Sequence, residues 1–366
     1  MTQVVISGTG IYTPKHKISN DEIVNSFNTY VRNYNKNNPD KEPLSESSAE
    51  FIVKASGIKN RYVIEKEGIL DPNRMRPHFP IRADDEMSLQ CEMAIESAKA
   101  ALKQANRNPE DVDCLIISCS AFQRSYPAIS TEVQKFLGTR GFAFDMSMAC
   151  SSGIFGILNA YNTVKNGQAK VALVISPEIN TAHIDYTDRE THFIFGDAAS
   201  AVVIEKKDTA KSDNLFEILG IKLITQFSNN IRNNFGYLNR SEDNVGGRDK
   251  LAIQKGRRVF KEVVPIAVAL INDHLKELKI PIENIKRFWL HQANGPMNQL
   301  ILKYLLGRES TQEEAPLILD QYANTSSAGV FIAFNKNQNG LKSGDLGLIS
   351  AFGAGYSAGC MVVKKV

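Results

Sequence analysis

Five short apolar runs punctuate the first 206 residues of this 366-residue chain: QVVISGTG, VDCLIISCSA, GFAFDMSMA, AKVALVISPE and ASAVVIEK. Each is rich in β-branched residues and bounded by Gly, Asp or Lys, the pattern of strands covered on both faces. Helical patterns lie between them. SLQCEMAIESAKAALKQAN carries apolar residues at helical spacing behind a capping Ser88, and SSGIFGILNAYNTVKNG opens on serines and stops at Gly167. Strands alternating with helices dictate α/β layers.

After Lys206 the pattern restarts. LFEILGIKLIT reads as a strand, GRRVFKEVVPIAVALINDHLKEL as a long helix, IKRFWLHQAN as a strand and PMNQLILKYLL as a helix, and DLGLISAFGAGYSAGCMVVKK reads as two strands around a glycine turn. The chain is therefore expected to be two similar fused α/β halves, residues 1–206 and 207–366. Two stretches read as surface excursions. Residues 28–47 are polar and Asn-rich with little apolar periodicity, and residues 65–87 hold three prolines and mixed charge.

With 43% hydrophobic residues the chain can bury a large core. A net charge of +3 and no basic run interleaved with aromatics give no nucleic-acid footprint. The five cysteines, Cys91, Cys114, Cys119, Cys150 and Cys360, are odd in number and lack metal-ligand spacing, so neither a disulfide framework nor a metal site is expected. A strand-like run directly after Met1 and the lack of a membrane-length apolar stretch point to a cytoplasmic protein that does not contact the membrane.

Three places carry chemistry. Cys150, in MACSSG, sits between a strand and a helix, where free backbone N–H groups and the helix dipole would favour a thiolate; small neighbours leave room for a substrate. The bland reading is a buried structural cysteine. His291, in LHQAN, follows a strand end, where a histidine is ordinarily a hydrogen-bonded surface residue. Asn324, in NTSSAG, can cap a helix starting near Ala328, which alone would account for it. Three such groups, each at a strand-to-helix junction, would converge where α/β folds place their active sites. AFGAG adds a glycine turn whose N–H groups can approach an oxyanion.

The order Cys in MACSSG, His in LHQAN, Asn in NTSSAG and then AFGAG resembles the β-ketoacyl-acyl-carrier-protein synthase III family of the thiolase fold. FGDAASAVVI and SSAEFIVKASGIKNRYV extend the likeness over nearly the whole chain. The resemblance implies a five-layered αβαβα arrangement and a condensing acyltransferase. In it Cys150 would accept an acyl group, and His291 and Asn324 would hold the second thioester's carbonyl. The backbone N–H groups of Cys150 and Ala354 would form an oxyanion hole. The substrate pocket would involve Tyr126, Phe195, Phe352, Gly353 and Gly355, with Tyr126 gating the neighbouring subunit of a homodimer. Acyl carrier protein is the implied partner, and no cofactor or metal is implied, the acyl groups being carried as thioesters on the carrier protein or on coenzyme A.

The chain also departs from the family. Phe51 and Ala55 stand where a tryptophan and an arginine flank the adenine of coenzyme A, Pro296 replaces a basic residue, and Ser357 and Ala358 follow Tyr356 where a tryptophan is usual. The EGILDPNRM insertion resembles a branch that joins two acyl chains in dialkylresorcinol and cyclohexanedione assembly, for which the second substrate would be a β-ketoacyl rather than a malonyl thioester. Rival readings are a Cys-His-Asn hydrolase, a thiolase using Cys360 as base, a dinucleotide-binding SGTGIY and a non-catalytic relative. The first lacks the local cysteine-protease signature, the third lacks a third glycine, and the last would have lost its cysteine.

Overall fold

The computed structural model describes residues 2–366. Nine strands form one continuous sheet: β1 (Val4–Tyr12), β2 (Cys114–Ser118), β3 (Phe142–Met146), β4 (Val171–Glu178), β5 (Ala198–Lys206), β6 (Phe216–Ser228), β7 (Ile285–Leu290), β8 (Leu346–Gly353) and β9 (Gly355–Lys365). Their spatial order is β7-β8-β9-β6-β1-β5-β4-β2-β3. Outward from the centre, β1-β5-β4-β2-β3 on one side is matched by β6-β9-β8-β7 on the other, the same order less its last strand. The two sides meet through a short antiparallel contact in which Val5 pairs with Glu217 and Ile6 with Phe216.

Six helices pack on these strands: α1 (Leu89–Ala105), α2 (Ile129–Leu137), α3 (Ser152–Lys165), α4 (Gly256–Leu278), α5 (Gly295–Leu306) and α6 (Gly329–Lys336). Strand alternation sorts them into layers. In β2, Cys114 and Ile116 face a central core shared with Ile154 and Ile157 of α3 and Val330 to Phe334 of α6, while Leu115 and Ile117 face α1 and α2. On the other half, Trp289 and Ile349 point to the central core and Phe288, Leu290 and Leu348 to α4 and α5. Helices α3 and α6 thus form the middle of five layers, α, β, α, β, α.

Local signals account for the frame. Ser88 caps α1 by accepting from the Cys91 N–H, as its position implied. Gly8 and Gly10 let β1 lie directly on α1; a Cβ at Gly10 would stand 2.1 Å from the Ser97 carbonyl oxygen. That close approach, not a phosphate, explains the glycines of SGTGIY.

Two expectations are corrected. Residues 28–37 are not an irregular excursion but the second half of a helix, Asn20–Asn37, opened by a capping box between Ser19 and Glu22. Ile23, Phe27 and Val31 form its buried stripe, and Asn28 and Asn35 tie the following segment to the helix through the backbone of Ser47 and Leu44. Nor is every strand covered on both faces: β3 is the sheet edge, paired with β2 alone, and is partly exposed along its length. Residues 65–87 are the surface excursion expected, with one turn of helix at Glu67–Leu70 and Ile81 fully exposed.

Candidate active site

Cys150 lies between β3 and α3, and the backbone immediately before it is held in an unusual shape. Ala149 has φ 48°, a left-handed conformation that costs a non-glycine residue on the order of 1–3 kcal/mol and persists where surrounding structure imposes it. That structure is a serine web. Ser152 Oγ accepts from Met148 N at 2.7 Å and lies 2.6 Å from the Ala149 carbonyl, and the Ser151 and Ser357 hydroxyls meet at 2.6 Å. Gly353 is packed so tightly behind the cysteine that a Cβ there would lie 2.8 Å from Cys150 N.

Burial raises the Cys150 thiol to about 11, a negative charge on Glu178 adds to the rise, and the Ser326 hydroxyl and the backbone N–H groups of Cys150 and Ala354 pull the other way. The helix-start position therefore does not by itself yield a free thiolate; desolvation outweighs it.

His291 directly follows β7 and is 2% exposed. Its backbone N–H donates to the Ser350 carbonyl at 2.8 Å, and Asn298 Nδ2 donates to its own carbonyl at 2.9 Å. Nδ1 is buried without a hydrogen-bond partner, which leaves Nε2 as the ring nitrogen available to a ligand. Burial depresses the imidazole to about 4, so near pH 7 it is neutral and donates only one N–H.

Asn324 differs in setting from the expectation. It follows a single helical turn, Leu319–Tyr322, rather than a strand, and it precedes the 3₁₀ turn Ser326–Ala328 that leads into α6. Ala323 and Ser326 on either side both have positive φ, 55° and 50°. Asn324 Oδ1 accepts from Ser326 N at 2.8 Å, an Asx turn rather than the helix cap expected, and the amide NH₂ is left free. The side-chain capping expected of Thr325 and Ser326 is absent.

One cavity of about 560 Å³ brings Cys150, His291 and Asn324 together. Of the expected pocket residues, Phe195, Phe352 and Gly353 line it, and the Phe352 ring meets the His291 ring edge-on at 5.3 Å. Tyr126 and Gly355 do not line it. Tyr126 is 85% exposed, so it packs neither in this pocket nor in its own core, and Gly355 lies in the turn between β8 and β9, where its φ of 130° needs glycine. Cys360 is fully buried in β9 and no partner to the cavity.

Sequence reasoning missed the cavity's other wall: Val259, Phe260 and Val263 of α4, together with Phe193 and Met297. Their helical spacing read as ordinary core, and only the packing shows that part of the α4 stripe faces a void. Phe51 and Ala55 also line the cavity, and the Arg189 guanidinium lies 4.1 Å over the Phe51 ring. Arg257 and Lys261 line the mouth; with Lys255 and Arg258 they make four exposed cations at the start of α4, none in an ion pair among the described residues. Among the described residues no group of histidine, cysteine and carboxylate side chains could hold a metal, and no helix is long and apolar enough to cross a membrane.

Comparison with known proteins agrees with this arrangement. Residues 144–226 match the 3-oxoacyl-[acyl-carrier-protein] synthase III model and residues 275–365 match its C-terminal counterpart. The chain is 52% identical over 347 residues to a β-ketodecanoyl-[acyl-carrier-protein] synthase of Pseudomonas aeruginosa PAO1, covering 93% of this chain and 99% of the relative. The chain belongs to the 3-oxoacyl-[acyl-carrier-protein] synthase III family. It is an acyltransferase of the condensing type with the thiolase fold. The crystal structure of the synthase III of Aquifex aeolicus VF5 superposes with a TM-score of 0.77 at 27% identity, covering 99% of both chains. The priming β-ketosynthase of the R1128 polyketide pathway shares the fold at a TM-score of 0.79 and 22% identity, covering 99% of this chain and 96% of the other. Family membership sets aside the hydrolase, dinucleotide-binding and non-catalytic readings.

Proposed function

We propose that this synthase loads a medium-chain acyl group on Cys150 and extends it by two carbons from a malonyl thioester held by an acyl carrier protein. The observation that carries the reading is the meeting of Cys150, His291 and the free Asn324 amide in one cavity. Cys150 sulfur attacks the primer thioester and expels its thiol, and the oxyanion formed on the way is met by the N–H groups of Cys150 and Ala354. The malonyl thioester then enters with its carbonyl oxygen between His291 Nε2–H and the Asn324 amide. Loss of CO₂ places negative charge on that oxygen, where two preorganised donors are most effective. The resulting carbanion attacks the acyl-cysteine carbonyl and expels the thiolate, which takes up the proton consumed in the cycle.

Chain length follows from the relative. A ten-carbon β-ketoacyl product arises from an eight-carbon primer and two carbons of malonyl, and this cavity falls in the usual range of about 300–1,000 Å³ for small-molecule sites. The same product chemistry supports malonyl over a β-ketoacyl second substrate. The four unpaired cations at the start of α4, of which Arg257 and Lys261 line the cavity, suit an acidic carrier protein. Assembly through the free edge of β3 would form a homodimer and place the exposed Tyr126 of each subunit against its partner. None of the five cysteines is paired with another, which suits a cytoplasmic setting.

The test is a panel of acyl-carrier and acyl-coenzyme A thioesters of graded length. Intact mass should show one acyl adduct on the wild type and none on Cys150→Ala, and added malonyl carrier protein should discharge the adduct into a β-ketoacyl product. Release of free acid in place of that product, or a preference for acetyl over octanoyl primers, would overturn the reading.

A further inference from the structure

Of the buried acids outside the cavity lining, none of which the proposed mechanism uses, Glu178 is the one bonded to the turn after Asn324. Glu178 ends β4, is 1% exposed and makes no ion pair among the described residues. Four donors from two other segments hold it. Ser120, in the loop after β2, donates from its N–H at 2.9 Å and from its hydroxyl at 2.5 Å. Ser327, in the turn after Asn324, donates from its N–H at 3.2 Å and also from its hydroxyl. The Ser120 loop is in turn fastened to the cysteine, since Ser152 Oγ bonds the Cys119 carbonyl at 3.1 Å.

Resting on the proposed assignment of Cys150 and Asn324, we infer that Glu178 is a positioning residue that clamps the Asn324 turn to the Cys150 segment. Asn324 depends on Ser326 N for its orientation, and Ser326 is fixed between that bond and the Glu178–Ser327 contacts. Without the clamp, the acceptors for two buried N–H groups vanish and the strained Ser326 backbone can relax. A charge on Glu178 adds to the effect of burial in raising the Cys119 and Cys150 thiols; Asp145 of β3 acts on Cys119 as well. No cation balances it, and burial lifts Glu178 itself to about 7, so it gains its charge across the neutral range.

The sign follows. Below about pH 7 Glu178 is neutral and leaves Cys150 alone; above it, the carboxylate disfavours the thiolate. Glu178→Gln keeps the size and an acceptor oxygen but removes the charge. Alkylation of Cys150 by iodoacetamide, followed by intact mass, needs no acyl substrate and so stands independently of the proposed reaction. Glu178→Gln and wild type should react at the same rate near pH 6, and the variant about tenfold faster at pH 8, the shift of about one unit expected from a nearby buried charge. Glu178→Ala should in addition lose condensation at least tenfold while Cys150 still accepts acyl groups. Equal alkylation of wild type and Glu178→Gln at pH 8 would overturn the electrostatic role, and a folded Glu178→Ala that condenses at the wild-type rate would overturn the clamp. If Glu178→Ala does not fold, Ser327→Ala, which removes one hydroxyl donor from the clamp and leaves the Glu178 charge in place, is assayed for condensation instead: a loss confined to condensation upholds the clamp, and a wild-type rate refutes it.

Discussion

Asn324→Asp isolates one of the two donors on which condensation is proposed to depend. Oδ1 of Asn324 accepts from Ser326 N at 2.8 Å, and a carboxylate oxygen in the same place can accept that bond equally well. The turn and its strained neighbours therefore keep their geometry, whereas Asn324→Ala would orphan the buried Ser326 N–H at a cost of about 1–3 kcal/mol in stability. What Asn324→Asp loses is the NH₂ donor, and what it gains is negative charge where the enolate forms. Removing an oxyanion donor costs about 2.7–4 kcal/mol. Two like charges about 4 Å apart in a partly screened site cost roughly 4 kcal/mol more. The combined penalty, about 7 kcal/mol, corresponds to about five powers of ten in rate.

Acylation precedes that step and should be slowed far less. The assay is therefore paired: intact mass for the acyl-Cys150 adduct, and chromatography with mass detection for the β-ketoacyl product. Acidification supplies an internal control, because protonation returns a donor and cancels the charge, so product formation by Asn324→Asp should recover as pH falls through the pKa of the introduced carboxyl. Condensation by Asn324→Asp within threefold of wild type at pH 7.5 would refute the reasoning.

Further expectations concern the surroundings. His291 should remain neutral from pH 8 down to about 5 when its ring is followed by NMR, because burial holds it near 4; a midpoint near the ordinary 6.5 would show that the ring is solvated. Gly353→Ala drives a methyl group to 2.8 Å from Cys150 N, a backbone atom that cannot step aside, so acylation should slow more than tenfold with a stability loss of about 1–3 kcal/mol; normal acylation kinetics would contradict that packing. Tyr126→Ala should shift the preferred primer length without abolishing acylation, and the protein should sediment as a dimer; a fully active monomer, or an unchanged length profile in the dimer, would remove the gate.

The frame was legible because local signals and tertiary packing agree. Ser88 before an apolar-periodic run is a cap in both sequence and structure, and the β-branched runs of β2, β4 and β5 could satisfy their side chains only between layers. Sequence failed where a pattern had two physical meanings. The asparagines of residues 28–37 suggested a loop, yet one stripe of Phe27 and Val31 suffices to anchor a helix whose other faces are wet. Cys150 was found by its small neighbours, but its acidity was misjudged, since desolvation depends on what the rest of the fold places around it. Glu178 gave no signal at all: in SPE it is one acid after a strand, and its partners Ser120 and Ser327 are 58 and 149 residues away.

The repeated strand order has a consequence for how the chemistry is divided. Matching the two halves strand for strand makes α3, which leads into β4, the counterpart of α6, which leads into β8. Cys150 stands before the first of these helices and Asn324 before the second, so each copy of the duplicated unit offers the same corner of its backbone and has filled it with a different group. On the proposed mechanism, one copy would handle the covalent half-reaction and the other the carbanion. Both corners open into a cavity within a single chain. Mixed oligomers of Cys150→Ala and Asn324→Asp subunits should therefore show no intragenic complementation, because no subunit in such a mixture owns a whole catalytic pair.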